Sequence, residues 1–228
     1  MNKNSSMGRK ILLATVLVTL LVVPAARGED ETDAVLAGME EFWSGVTTFS
    51  ADFRQEKTLA FFPDTIYSTG TLLFEKPGRM LWRYDTPDDT VMSITPGRVM
   101  FYFPGLNQAR IMYPSSEDDA AGPASMGFGM GGGMGEMTDR FSVTVERDGN
   151  EVEVTFIPKE TNDDNRVEKV IIRVDEDSMP IATAFHETTG GVTELLFSNQ
   201  RINIPLDADA FDIELPPGTS IETIGAGE

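Results

Sequence analysis

The fifteen residues from Gly70 to Tyr84, GTLLFEKPGRMLWRY, set alternating aliphatic and aromatic side chains on both sides of a Lys76-Pro77-Gly78-Arg79 turn. Taken by twos, as a pleated strand requires, Leu72 and Phe74 share one face of the first run. Met80, Trp82 and Tyr84 share one face of the second. The same parity joins Met92 with Ile94, and Phe101 with Phe103, in the runs that follow. Side chains of these types do not break bonds; they bind by taking hydrocarbon out of water. The nine residues are therefore the candidate lining of an apolar binding face. The alternative for each is an ordinary core position in an all-β protein, and parity alone leaves open which face points inward.

Catalytic chemistry finds little to work with. The only histidine, His186, stands beside Glu187 in a β-patterned run, the chain has no cysteine, and no serine sits in a nucleophile-elbow context. Glu117-Asp118-Asp119 and Asp163-Asp164 fall in loop-like stretches without calcium-loop spacing. Gly131-Gly132-Gly133 lacks the Lys and Ser/Thr of a phosphate loop. Neither an enzyme nor a cofactor is expected.

The elements that must position the lining are mostly strands. A helix is expected over residues 30–44, with Val35, Met39, Phe42 and Val46 as an apolar stripe and acids in the first turn, where the helix dipole favours them. Period-two runs follow at 49–57, 66–75, 80–84, 90–95, 98–103, 108–113, 140–146, 151–157, 167–174, 181–187, 192–200 and 211–215. Pro96-Gly97, Pro104-Gly105 and Asp148-Gly149-Asn150 supply turns between them. So many short strands on short connections predict a mainly β (α+β) protein, a single antiparallel sheet curled into a barrel or half-barrel.

Arg9 and Lys10 precede an apolar run from Ile11 to Val23, then Pro24 and the small residues Ala25, Ala26 and Gly28. This reads as a signal peptide over 1–28, too short for a comfortable membrane span. Residues 29–228 then suit one domain. The chain holds 18 basic and 37 acidic residues; losing Lys3, Arg9, Lys10 and Arg27 with the leader leaves 14 against 37, a net charge of −23. Such a surface repels phosphate backbones, so nucleic acid is excluded as a partner. Without cysteine the chain can carry neither a lipidated N-terminal Cys nor a disulfide. A free, monomeric exported protein is expected.

Around the central block the order of pieces is distinctive. Phe49-Ser50-Ala51-Asp52-Phe53-Arg54-Gln55 precedes it; Pro87-Asp88 and Val99-Met100-Phe101-Tyr102-Phe103-Pro104 follow it; Gly191-Val192-Thr193, Asn203, and Phe211 with Pro216-Pro217-Gly218 complete the series. In this order and spacing the chain resembles the periplasmic outer-membrane lipoprotein carrier family (LolA-like) over nearly all of the segment after the leader. The resemblance implies an incomplete β-barrel with a helical lid over a hydrophobic cavity. It also implies a cycle in which an inner-membrane ABC transporter hands over a lipoprotein, the carrier shields its acyl chains, and an outer-membrane acceptor receives it. In the family an arginine just before the Pro of the turn holds the lid by hydrogen bonds to helix carbonyls. Lys76 stands at that position here, with Arg79 as a second candidate, the alternative being a solvated turn residue.

One stretch departs from the family. Where the resemblance implies an apolar helix, residues 122–137 form a Met/Gly-rich insertion, with Met126, Met130, Met134 and Met137 at helical spacing and six glycines between the first and last. Each glycine costs about 0.5–1 kcal/mol against alanine in a helix, so no independent helix is expected. A disordered insertion, a pliable apolar flap and a soft-metal site remain as readings. For the protein as a whole, the alternatives to a lipoprotein carrier are a periplasmic lipid or lipoprotein sensor on the same fold and a carrier of free lipids.

Overall fold

The computed structural model describes residues 26–61, 64–114, 134–160 and 167–225. A helix, α1 (Ala26–Gly45), leads into β1 (Thr48–Thr58), β2 (Thr65–Glu75), β3 (Arg79–Thr86), β4 (Thr90–Thr95), β5 (Arg98–Phe103) and β6 (Gln108–Met112). A short helix, α2 (Met134–Arg140), opens the second half, followed by β7 (Phe141–Asp148), β8 (Glu151–Pro158), β9 (Val167–Val174), β10 (Pro180–Glu187), β11 (Val192–Ile202) and β12 (Ser220–Ile224). The strands form one sheet in the order β12-β6-β5-β4-β3-β2-β1-β11-β10-β9-β8-β7. Most neighbours pair as antiparallel hairpins; Gly97 and Gly149, both at positive φ, make the tight reversals into β5 and β8 that a Cβ would hinder.

Met92 and Val99 from one half of the sheet belong to the same contiguous core as Val154 and Phe156 from the other, together with Val35, Leu36, Met39 and Trp43 of α1. A sheet whose distant strands share one core has to curl, and α1 lies within the curl. This inner face follows the expected alternation: Phe49, Ala51 and Phe53 on β1 are buried while Asp52 and Arg54 are exposed. The helix stripe is wider than expected, since Leu36 and Trp43 are buried alongside Val35, Met39 and Val46, and Phe42 is half-buried.

The outer face is covered in part by a segment expected as a strand. Residues 211–215 are not β; they belong to an extended crossing that buries Phe211 completely. Ser93 Oγ donates to the Phe211 carbonyl at 2.7 Å, and the Arg79 guanidinium lies 4.3 Å from the centre of the Phe211 ring. Pro216 and Pro217 cannot donate to a ladder, so strand pairing resumes only beyond them, where β12 runs parallel to β6. That pair is the exception to an otherwise antiparallel sheet. The expected leader falls almost entirely on residues outside those described.

Candidate functional site

Register, read strand by strand, collects the candidate lining into rows. Phe49 faces Phe74, which faces Met80, which faces Ile94, and Ile94 faces Val99; one row on, Ala51, Leu72, Trp82, Met92 and Phe101 are likewise cross-strand partners. A third row brings Phe53, Gly70 and Tyr84 together. Leu72, Phe74, Met80, Trp82, Met92 and Ile94 are all buried, while Tyr84 and Phe101 are half-buried and pack against the same core. Phe103 is different. It ends β5 opposite Gln108, outside that core, and lines a shallow surface depression of about 160 Å³ with Arg110, Ser220 and Glu222. Its parity is that of Phe101, but it stands at the last position of β5, beyond the residues that the core encloses.

Residues outside the candidate set complete the face: Phe53, whose ring centre lies 5.1 Å from that of Trp82 and 5.0 Å from that of Tyr84, together with Phe197, Leu195 and Phe156. Their signal in the sequence is the period two of β1, β8 and β11. Gly70 makes room for Phe53: a Cβ there would overlap the Arg83 carbonyl oxygen and stand 2.8 Å from Phe53 Cζ.

The cover is α1. Trp43 sets its ring edge-on to Phe74 at 6.2 Å between centres and lies 5.8 Å from Phe49. At the C-terminal end of α1, where carbonyls have no partner within the helix, Lys76 Nζ donates to the Trp43 carbonyl and reaches the Ser44 carbonyl at 3.5 Å. A cation there also complements the helix dipole. Asn203, at positive φ, ties the same corner: its Oδ1 accepts from Thr47 N at 2.8 Å and from Thr47 Oγ1 at 2.9 Å, and its Nδ2 donates to the Gly45 carbonyl at 3.0 Å. Near the other end of α1, Glu31 pairs with Arg147 of β7 at 2.7 Å. Arg79 does not approach α1; it pairs with Glu75 at 2.8 Å and reaches the Ala208 carbonyl at 3.3 Å.

Among the described residues, the buried polar side chains are Thr48, Gln55, Ser68, Ser93 and Thr183, all uncharged. The Tyr84 hydroxyl donates to Gln55 Oε1 at 3.2 Å, and burial pushes the Tyr84 phenol well above its ordinary value. Trp82 Nε1, wholly buried, has no hydrogen-bond partner. His186 pairs with Val192 and Lys169 in register, and its pKa is lowered by partial burial and then by Lys169. No cluster of three His, Cys, Asp or Glu side chains gathers as metal ligands among the described residues. Met126 and Met130 lie outside the described residues, so the flap and soft-metal readings fall there; Met137, in α2, packs against the inner core. Lys159 Nζ donates to the Thr138 carbonyl at 2.7 Å, closing the last turn of α2.

Residues 44–214 match the family model described as outer membrane lipoprotein carrier protein LolA. An outer-membrane lipoprotein carrier protein from Cupriavidus necator is 28% identical over 221 residues, covering 93% of this chain and 97% of that one. One from Pseudomonas aeruginosa is 24% identical over 214 residues, covering 92% and 98%. A solved structure of an uncharacterized conserved protein from Thermus thermophilus superposes with a TM-score of 0.53 at 11% identity, covering 85% of this chain and 99% of that one, a likeness of fold.

Proposed function

The chain belongs to the outer membrane lipoprotein carrier family, and we propose that residues 29–228 take up the acyl chains of lipoproteins released from the inner membrane, shield them across the periplasm and deliver them to the outer membrane. The observation that carries this reading is the inner face itself: six buried lining residues capped by one helix whose C-terminal carbonyls are held by a lysine. A helix closing an apolar face through a few polar contacts can be displaced by a ligand that offers hydrocarbon in its place.

Burying each CH₂ is worth about 0.8 kcal/mol, so ten methylenes of an acyl chain supply about 8 kcal/mol. That is ample to capture a chain that would otherwise lie in water. The leader pattern over 1–28 supports export to the periplasm. In the cycle that the family resemblance implies, an inner-membrane ABC transporter supplies the energy and an outer-membrane acceptor takes the cargo. Lys76 serves as the latch of the closed, empty form in this reading.

Mass spectrometry of whatever co-purifies with the protein from a Gram-negative periplasm tests it. Acylated lipoproteins in the bound fraction are the expected result. Free lipids alone, with no lipoprotein enriched over a control periplasmic protein, would move the function to free-lipid transport.

A further inference from the structure

The inner face is graded along the strands. The rows nearest Lys76, through Phe49–Phe74–Met80–Ile94 and Ala51–Leu72–Trp82–Met92, carry aliphatic, thioether and aromatic side chains whose one polar group is the Trp82 indole N–H. The next two rows, toward the β1–β2 hairpin, bring polarity: Tyr84 beside Gly70 and Phe53, then Gln55 opposite Ser68, with Thr183 reached across Leu195. Gln55, Ser68 and Thr183 are buried, and the Tyr84 hydroxyl engages the Gln55 side-chain carbonyl. The indole N–H of Trp82, whose ring meets Phe53 of the third row, is buried without an acceptor.

Two features of this end constrain what it would hold. An unmet buried donor is unfavourable, and an incoming acceptor recovers that cost. And because every buried polar side chain among the described residues is neutral, a carboxylate placed beside Gln55 and Ser68 would be a desolvated charge, with the half-buried Lys57 one row further along β1. The acceptor that fits is a neutral carbonyl.

We propose that the Gln55–Ser68–Tyr84 end, with the Trp82 N–H, receives the ester or amide carbonyls that join acyl chains to their head group, while the chains run toward Phe49 and Trp43 beneath the C-terminal end of α1. This rests on the carrier reading above and adds to it a direction of binding and a preference for acyl esters over ethers and free fatty acids.

The two tryptophans of the chain report on the two ends. Trp43 lies against Phe49 and Trp82 against Phe53, four residues apart on β1 and so about 13 Å along the strand. A diacylglycerol brominated either next to the ester or at the chain end is titrated into the Trp43→Phe and Trp82→Phe proteins. Ester-proximal bromine is expected to quench Trp82 more strongly, and terminal bromine Trp43. The reverse pattern, or no difference, overturns the direction while leaving the carrier reading standing; no quenching by either lipid overturns both. In a second arm, unaltered protein should bind the ester lipid about three- to tenfold more tightly than its ether analogue, and Gln55→Leu should reduce that ratio. Equal affinity of the unaltered protein for ester and ether overturns the carbonyl site without reference to any variant's folding.

Discussion

Replacing Lys76 with leucine removes the charge and donors that hold the end of α1 while keeping an apolar stem at the turn. A hydrogen bond from a charged donor to a carbonyl contributes about 1.5–3 kcal/mol, and Lys76 is only half-buried, so solvent screening draws its share to about 1.4 kcal/mol, a factor of about ten. Lys76→Leu should therefore raise the open fraction of the empty protein about tenfold, and a dye that binds only when α1 moves aside should bind tighter by the same factor. Asn203 and the Trp43 contacts remain, so the cover is loosened without being lost. Lys76→Arg presents a planar fork to the same two carbonyls and should weaken dye binding. The assay is a fluorescence titration of an apolar dye at fixed ionic strength, with a urea midpoint confirming that each variant is folded. If the leucine and arginine variants both bind dye within about twofold of the parent, the latch is refuted and Lys76 is a solvated turn residue. Arg79 cannot be invoked instead, because it is committed to Glu75, Ala208 and Phe211 on the opposite face.

Gly70→Ala should destabilise the protein by about 1–3 kcal/mol, toward the upper end because the clashing Arg83 oxygen belongs to the backbone; an unchanged urea midpoint would show that the strands part at little cost. The raised pKa of Tyr84 means that the folded state keeps its phenolic proton where the unfolded chain releases it, near pH 10. Its contribution is intact below that pH and is lost as pH rises above it. Tyr84→Phe should accordingly reduce the alkaline loss of stability between about pH 9.5 and 11, the rest of the slope coming from other groups; parallel pH profiles for variant and parent would count against the burial argument.

Most of the strands were legible because alternation is a local signal: β4, β5 and β9 begin and end where period two does. Parity also assigned Leu72, Phe74, Met80, Trp82 and Tyr84 to one face, since register carries parity across a hairpin. It could not say that this face is the inner one, because Leu73, Leu81 and Met100 give the other face an apolar pattern of its own. Nor could it see where enclosure stops, which is why Phe103 lies outside the core although it alternates with Phe101. Residues 211–215 read as a strand because Phe211, Ile213 and Leu215 alternate, yet only Phe211 is fully buried, and the segment is held by contacts with Ser93 and Arg79 far away in sequence. The Asn203 tie and the unmet Trp82 N–H depend on what surrounds a side chain in three dimensions, which no spacing rule reports.

The energetic balance between cover and cargo limits how α1 can move. Detaching it would expose Val35, Leu36, Met39 and Trp43, each worth about 1.5–3 kcal/mol, or about 6–12 kcal/mol together. Ten acyl methylenes entering the same space return about 8 kcal/mol. The two sums are comparable, so a chain that pushed α1 fully into water would gain little, whereas a chain that slides between α1 and the sheet keeps the helix stripe buried against the cargo itself. On the proposed carrier reading, uptake resembles an exchange of apolar neighbours, with a net free energy small enough to be reversed by an acceptor offering a comparable apolar site. On the outer face, Phe211 is locked by Ser93 and Arg79, and β12 continues the sheet beyond it. Polar contacts at Lys76, Asn203 and Arg147 hold α1 near its ends, while Val35, Leu36, Met39 and Trp43 pack along its length against the core. A helix held in that way is suited to tilt and to return, which is the motion that reversible loading of hydrocarbon requires.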